Sequence, residues 1–224
     1  MLADLEIAYR QQLKASACLT ALTAQNQHQF FKTQIVATKT FQNTLRSLQP
    51  LRQFDVIKIG MLGNASLVEA LAKALKNYPG KIILDPVTQS STGGKLLTQS
   101  GQKALIKKLL PIVSLWTPNL IEAKLYLGVA PQSKMDSLDL ARTLYKKYGV
   151  PVYLKGGHLK GPPEDIYIDK QFELRLKQKR LLKKMRGTGC RLASFLACNM
   201  AEGPLTKSTL LKIREQFQAI LKTP

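Results

Sequence analysis

Apolar and polar positions along this chain fall into blocks with two different periods. Short runs rich in Val, Ile and Leu, bounded by Gly or Pro, predict strands over 55–59, 81–85, 112–116 and 151–155. Between them apolar residues recur three and four apart, which predicts amphipathic helices over 38–48, 102–110 and 136–148. Leu67, Ala70, Leu71 and Leu75 predict another helix, opened by the capping-box pattern Ser66-Leu67-Val68-Glu69 and ended by Pro79-Gly80. Thr117-Pro118 reads as an N-cap followed by proline at the first helical position, with Asn119 and Glu122 in the first turn. Residues 1–12 and 209–221 predict terminal helices. Residues 17–23 are apolar on both faces, so a buried strand is expected, with Gln25-Asn26-Gln27 as the polar loop at its end. Segments 165–169 and 172–176 predict a hairpin.

Strands alternating with helices at this spacing predict an α/β fold, with a mostly parallel central sheet and helices on both faces. In such sheets ligands bind beyond the carboxyl ends of the strands. The polar features fall at those ends: Gln25, Met61, Asp85, Asn119 with Glu122, and Lys155 with Gly156-Gly157. No internal repeat or linker interrupts the pattern, so one domain over 1–224 is expected.

Composition narrows the class. An apolar content of 45% suits a globular chain rather than a disordered one. No apolar run is long enough for a transmembrane helix, and Met1-Leu2-Ala3-Asp4-Leu5-Glu6 lacks the form of a signal peptide, so a cytoplasmic location is expected. Three cysteines (Cys18, Cys190, Cys198) and two histidines (His28, His158) speak against a disulfide framework or a zinc site. The formal charge of +20 favours anionic partners. Nine basic residues and one acid, Glu173, lie between Lys170 and Arg191. Few aromatics are interleaved there, so nucleic-acid binding is the weaker reading and a basic face beside a phosphate site the stronger one.

The candidate chemistry centres on Arg186-Gly187-Thr188-Gly189-Cys190, followed by an apolar run of helical length. Glycines at a helix start let backbone N–H groups approach an anion. Gly187, Thr188, Gly189 and Cys190 therefore form a candidate anion hole; the alternative is a Gly-rich turn into a buried helix. At a helix N-terminus beside arginines, Cys190 is expected to have a depressed pKa and to take a proton from a substrate hydroxyl. Asp85 and Glu122 are candidate Mg²⁺ carboxylates, with a strand end and a helix cap as their structural alternatives. Lys155 is placed to neutralise a phosphate, with Gly157 letting backbone approach. His158 is read as a loop residue, and Cys18 and Cys198 as core. No GxxxxGK[ST] motif occurs, which excludes a P-loop enzyme.

Six ordered motifs resemble one family: Ala21-Leu22-Thr23-Ala24-Gln25-Asn26, Ile57-Lys58-Ile59-Gly60-Met61-Leu62-Gly63, Leu84-Asp85-Pro86-Val87, Thr117-Pro118-Asn119-Leu120-Ile121-Glu122-Ala123, Leu154-Lys155-Gly156-Gly157-His158 and Gly187-Thr188-Gly189-Cys190. The chain resembles the hydroxymethylpyrimidine and phosphomethylpyrimidine kinases of thiamine biosynthesis, within the ribokinase-like family. That resemblance implies a three-layer α/β fold and phosphorylation, with ATP and Mg²⁺, of 4-amino-5-hydroxymethyl-2-methylpyrimidine and then of its monophosphate. It implies that Gln25 bonds the aminopyrimidine edge, with Thr23, Met61 and Val87 lining the ring pocket. Asn119, Glu122, Lys155 and Gly157 would serve the nucleotide, Asp85 and Glu122 the metal. Cys190 would be the catalytic group above the anion hole. A small-molecule pyrimidine partner and a homodimer are compatible with it. The chain departs from the family pattern in starting just after the usual AGSD-type segment. It also carries Thr88 and Ser91 where the family has Met and Lys, and Arg186 where His is common. A degenerate relative and a pyridoxal kinase are the neighbouring alternatives.

Overall fold

In the computed structural model, residues 1–26, 28–90, 93–157, 162–177 and 187–222 are described. His158, Ser91 and Arg186, and most of the basic run, lie outside them.

The central sheet has six strands: β3 (Val56–Ile59), β4 (Lys81–Leu84), β5 (Leu115–Trp116), β6 (Val152–Leu154), β7 (Glu164–Ile168) and β8 (Glu173–Lys177). They lie side by side in that order, parallel from β3 to β6 and antiparallel from β6 to β8. Period-two alternation divides the buried side chains between two faces. Ile82, Leu84, Trp116, Val152 and Leu154 join the apolar cluster on one face. It is covered by α2 (Thr38–Ser47), α3 (Ala65–Leu75), α4 (Gln99–Ala104), α5 (Leu120–Leu127) and α6 (Ser137–Tyr148). Ile83, Leu115, Tyr153 and Tyr167 join the other, under α1 (Leu2–Arg10), α7 (Thr188–Glu202) and α8 (Lys207–Lys222). The three-layer arrangement thus follows from strands that are apolar on both faces. Among the described residues, no helix is long and apolar enough to cross a membrane.

Four local expectations need correction. The strand expected over 17–23 is β1 (Ala21–Gln25), and it is not in the central sheet. It pairs antiparallel with β2 (Phe30–Ile35), which the apolar pattern did not reveal, to form a separate hairpin. Asn26 makes the turn, its side chain accepting hydrogen bonds from the backbone of His28 and Gln29 at 2.8 Å. The hairpin lies on the sheet's loops rather than inside the core, so Leu22 and Phe31 remain 59% and 58% exposed. Next, α3 is capped by Asn64 rather than Ser66: Asn64 Oδ1 accepts from Leu67 N at 3.0 Å. Likewise Asn119, not Thr117, caps α5. Its side chain accepts from Glu122 N at 2.9 Å, and Glu122 Oε2 accepts from Asn119 N at 2.8 Å. Thr117 is still in extended backbone and bonds Leu84 O. Pro118 therefore precedes the cap and stands outside the helix. The helix expected over 102–110 continues from α4 through a π-helical segment, Leu105–Leu109, into a 3-10 turn, Leu110–Ile112.

Candidate active site

The carboxyl ends of the parallel strands continue their ladder one residue further than the strands themselves. Asp85 N donates to Ile59 O, Thr117 N to Leu84 O and Lys155 N to Pro118 O, all within 2.8–2.9 Å. This brings Asp85, the Asn119–Glu122 cap and Lys155 to one edge. Gly156 must be glycine there, because a Cβ would lie 1.9 Å from Glu164 O. At the same edge, α7 begins at Gly187, whose φ of 72° is left-handed and whose N-cap offers no side-chain bond. The N-cap residue thus supplies no side chain of its own to these N–H groups, a feature compatible with an anion site.

Lys155 runs directly beneath that start: a Cβ on Gly189 would lie 3.4 Å from its Nζ. Lys155 Nζ bonds Asp85 Oδ1 at 2.5 Å. Asp85 is 1% exposed, and its second oxygen, Oδ2, is buried with no hydrogen-bond partner among the described residues. The Cys190 thiol is close enough to that carboxylate for each to alter the other's proton affinity. Burial works against ionisation of Asp85, but Lys155 and Lys58 outweigh it and hold its pKa below the usual value. For Lys155 burial again opposes the charge, while Asp85 and Glu122 raise the pKa above that of a free lysine.

Cys190 overturns the depressed-pKa expectation. Burial, then the negative charge of Asp85, pushes its thiol up to about 12, against the lowering effect of Lys58 and Lys155. The helix dipole alone favours thiolate, but here the sulfur is half-buried next to a carboxylate. At neutral pH Cys190 is a thiol. Glu122 is also buried, and burial followed by Asp85 raises its pKa to about 7, opposed by Lys155 and the backbone N–H groups of Asn119 and Thr88.

Asp85 Oδ2, buried and unpartnered, suits a cation or a cationic complex. Glu122 spends both oxygens on backbone N–H groups, at 2.8 Å from Asn119 and 3.4 Å from Thr88, and reaches a metal best through water. Among the described residues no group of three or more His, Cys, Asp or Glu side chains is gathered for a metal.

The β1–β2 hairpin docks over the neighbouring loops. Thr20 Oγ1 donates to Met61 O at 2.6 Å. Ile35 fills the space above Gly63, and the Phe30 ring lies against Gly94. Thr23 and Gln25 sit on this hairpin, where Gln25 Nε2 donates to Thr23 Oγ1 at 3.0 Å. Met61 follows β3 and Val87 follows β4, and both are half-buried. Gly157 is exposed beside open space.

A family model described as phosphomethylpyrimidine kinase matches residues 1–220. The chain belongs to the phosphomethylpyrimidine kinase family. Among curated relatives, the hydroxymethylpyrimidine/phosphomethylpyrimidine kinase of Haemophilus influenzae is 30% identical over 230 residues, covering 99% of this chain and 85% of that protein. The crystal structure of phosphomethylpyrimidine kinase from Clostridium difficile superposes with a TM-score of 0.80 at 25% identity, covering 98% of this chain and 91% of that one. The pyridoxal kinase of Staphylococcus aureus, in complex with pyridoxal, reaches a TM-score of 0.85 at 23% identity, covering 99% and 81%, a likeness of fold.

Two charged residues beside the candidate site are not evident from the sequence pattern. Lys58 of β3 and Asp4 of α1 are 54 positions apart, yet Lys58 Nζ bonds Asp4 Oδ1 at 2.7 Å. Asp4 Oδ1 also accepts from Ser194 Oγ at 2.6 Å, and Arg191 pairs with Glu6 at 2.6 Å, so α1 is tied to α7 just behind the anion hole. The available signal was a lysine inside a run, Val56–Ile59, that otherwise wants burial.

Burial resists ionisation of Asp4, but Lys58 and its hydrogen bonds lower the pKa to about 2. A depressed carboxylate stabilises the fold above its unfolded pKa and loses that contribution as pH falls through the folded value. Asp4→Asn is therefore expected to cost about 2 kcal/mol at pH 7. Urea unfolding at pH 7 and near pH 2 checks this, because the gap between variant and wild type should close at the lower pH.

Proposed function

We propose that this kinase transfers the γ-phosphoryl group of ATP to the primary hydroxyl of 4-amino-5-hydroxymethyl-2-methylpyrimidine, and then phosphorylates the resulting monophosphate. The observation that carries the reading is the buried Asp85–Lys155 pair lying directly under the uncapped start of α7. Phosphoryl transfer needs mainly positioning and charge neutralisation, and this arrangement supplies both. The N–H groups of Gly187, Thr188, Gly189 and Cys190 receive the transferring phosphoryl oxygens. Lys155 adds a positive charge from below. Mg²⁺, when bound with the nucleotide, would neutralise phosphate charge, with water held by Glu122 on its protein side. Asn119 keeps Glu122 in place through the capping box.

Because Cys190 is a thiol at rest, it acts as a relay. As the substrate oxygen bonds phosphorus, its proton passes to Sγ while the Sγ proton passes to Asp85 Oδ2. The hairpin closes the other side, with Gln25 and Thr23 above and Met61 and Val87 beneath the pyrimidine ring. The Gln25 amide carries both a donor and an acceptor, the complement of an aminopyrimidine edge.

The pyridoxal kinase fold likeness makes substrate choice the informative experiment. With both alcohols at equal concentration and limiting ATP, mass spectrometry is expected to find mostly the phosphorylated pyrimidine. Pyridoxal phosphate as the dominant product would overturn the substrate assignment while leaving the phosphoryl-transfer site intact.

A further inference from the structure

Lys155 has a second carboxylate within its neighbourhood. One step beyond the last paired residues of β6 and β7, Leu154 and Ile166, the register sets Lys155 opposite Asp165. Cross-strand neighbours at that spacing are near enough for an ammonium to reach a carboxylate. Yet Lys155 pairs with Asp85, two strands away.

The reason lies in what already surrounds Asp165, which is 2% exposed. Its Oδ1 accepts from Gly156 N at 2.8 Å, and its Oδ2 accepts from Tyr153 OH at 3.1 Å. Tyr153 and Gly156 flank Lys155 in sequence, so Asp165 grips the backbone and strand on both sides of the lysine. Its charge is met by Arg214 of α8, whose Nη2 lies 3.3 Å from Oδ2. Arg214 Nε and Nη1 have no hydrogen-bond partner among the described residues. Arg214 stands beside a cavity of about 210 Å³ lined also by Arg175, Leu176, Lys177, Leu211, Glu215 and Gln218, and its guanidinium lies over the Phe217 ring at 5.7 Å. A buried carboxylate without a counter-ion is costly, and the register offers Lys155, opposite on β6, as an alternative cation.

We propose that Arg214 and Asp165 are positioning residues for Lys155. Arg214 occupies the Asp165 carboxylate, so that Asp165 braces the Gly156 turn and Lys155 remains directed to Asp85 under the anion hole. The inference rests on the kinase reading of Lys155, and it assigns a role in the reaction to α8, an element remote from the six sequence motifs.

The test is a double-mutant cycle. In Arg214→Met, Asp165 loses its counter-ion and draws Lys155 away from Asp85. Turnover is expected to fall at least about tenfold, since small displacements of positioned groups have effects of that order, with KM for the pyrimidine alcohol unchanged within about twofold. In Asp165→Asn the side chain still accepts from Gly156 N but no longer attracts the ammonium, so turnover should fall clearly less than in Arg214→Met. The double variant should return to the Asp165→Asn level, because the two residues act as one unit. Arg214→Lys, which keeps a cation, should retain most activity.

A double variant as slow as Arg214→Met would show that the loss is general damage to α8, and wild-type turnover in Arg214→Met would equally overturn the proposal. Should Arg214→Met fail to fold, Arg214→Gln takes its place in the cycle. A crystal structure of the folded Arg214 variant adds a readout independent of activity. Lys155 is expected against Asp165, and Lys155 still on Asp85 would contradict the proposal. Absent wild-type turnover would count against the kinase reading, with the crystal structure still deciding the positioning claim.

Discussion

Replacing Lys155 with methionine is expected to lower turnover by about two to three orders of magnitude, the scale seen when a preorganised donor to a developing anion is removed. Lys155 Nζ lies under Gly189 and bonds Asp85. Methionine keeps the length of the stem and removes the charge. Two effects then add. The transferring phosphoryl group loses a cation in an enclosed site where solvent does not replace it. Asp85 and Glu122, 1% and 3% exposed, lose the cation they share. Breaking one side of a buried ion pair costs about 3–5 kcal/mol, so the melting temperature should drop by about 10 °C in a domain of this size. Lys155→Arg is not a conservative control, because a planar guanidinium does not fit the contact beneath Gly189. Steady-state kinetics with a thermal melt of the same preparation separates the two effects. Turnover within a few-fold of wild type would show that Lys155 is a structural ion-pair partner only.

The second large effect is expected at Cys190. Cys190→Ala should reduce turnover by about a hundredfold or more, the usual contribution of proton transfer, with KM for ATP little changed. On the proposed reading the sulfur reaches the reacting oxygen, whereas the nucleotide is held by the backbone of Gly187–Cys190 and by Lys155. The relay makes a further distinction. A thiol whose pKa is pushed up to about 12 passes on a proton it already holds, and a serine hydroxyl can do the same. Cys190→Ser is expected to retain substantially more activity than Cys190→Ala. Equal loss in both variants would favour a thiolate acting alone, and full activity in both would remove Cys190 from the proton path. Alkylation by iodoacetamide at neutral pH should be slow at Cys190 for the same reason.

Much of the site was legible because its residues stand where apolar runs stop. Asp85, Lys155 and Glu122 each follow a short buried strand, and strand ends in parallel sheets are where ligands bind. The uncapped start of α7 was legible from the glycines on either side of Thr188. What stayed hidden depends on contacts remote in sequence. Nothing near Asp4 announces Lys58, and nothing near Arg214 announces Asp165. The ionisation of Cys190 was misread because the dipole of α7 is visible in sequence, whereas burial beside Asp85 is not. The β1–β2 hairpin was misplaced for a related reason. An apolar run says that a strand forms, but not which sheet receives it, and the deciding turn at Asn26 looked like an ordinary strand end.

The Asn64 and Asn119 caps show a smaller version of the same effect. Ser66 and Thr117 satisfy the local pattern as well as the asparagines do. The choice is made by where the preceding strand stops: Gly63 turns with a φ of 77°, and Thr117 is still bonded to Leu84.

The Asp85–Lys155–Cys190 cluster under the start of α7 is expected to phosphorylate the hydroxymethyl oxygen of an aminopyrimidine. Phosphorus NMR of purified protein with ATP, Mg²⁺ and 4-amino-5-hydroxymethyl-2-methylpyrimidine tests it most directly, with Lys155→Met run alongside. The expected result is a new monoester signal coupled to the substrate methylene protons, growing as the ATP γ-phosphorus signal is lost and nearly absent in Lys155→Met. An unchanged ATP spectrum with wild-type protein, or equal ester formation by the variant, would contradict it.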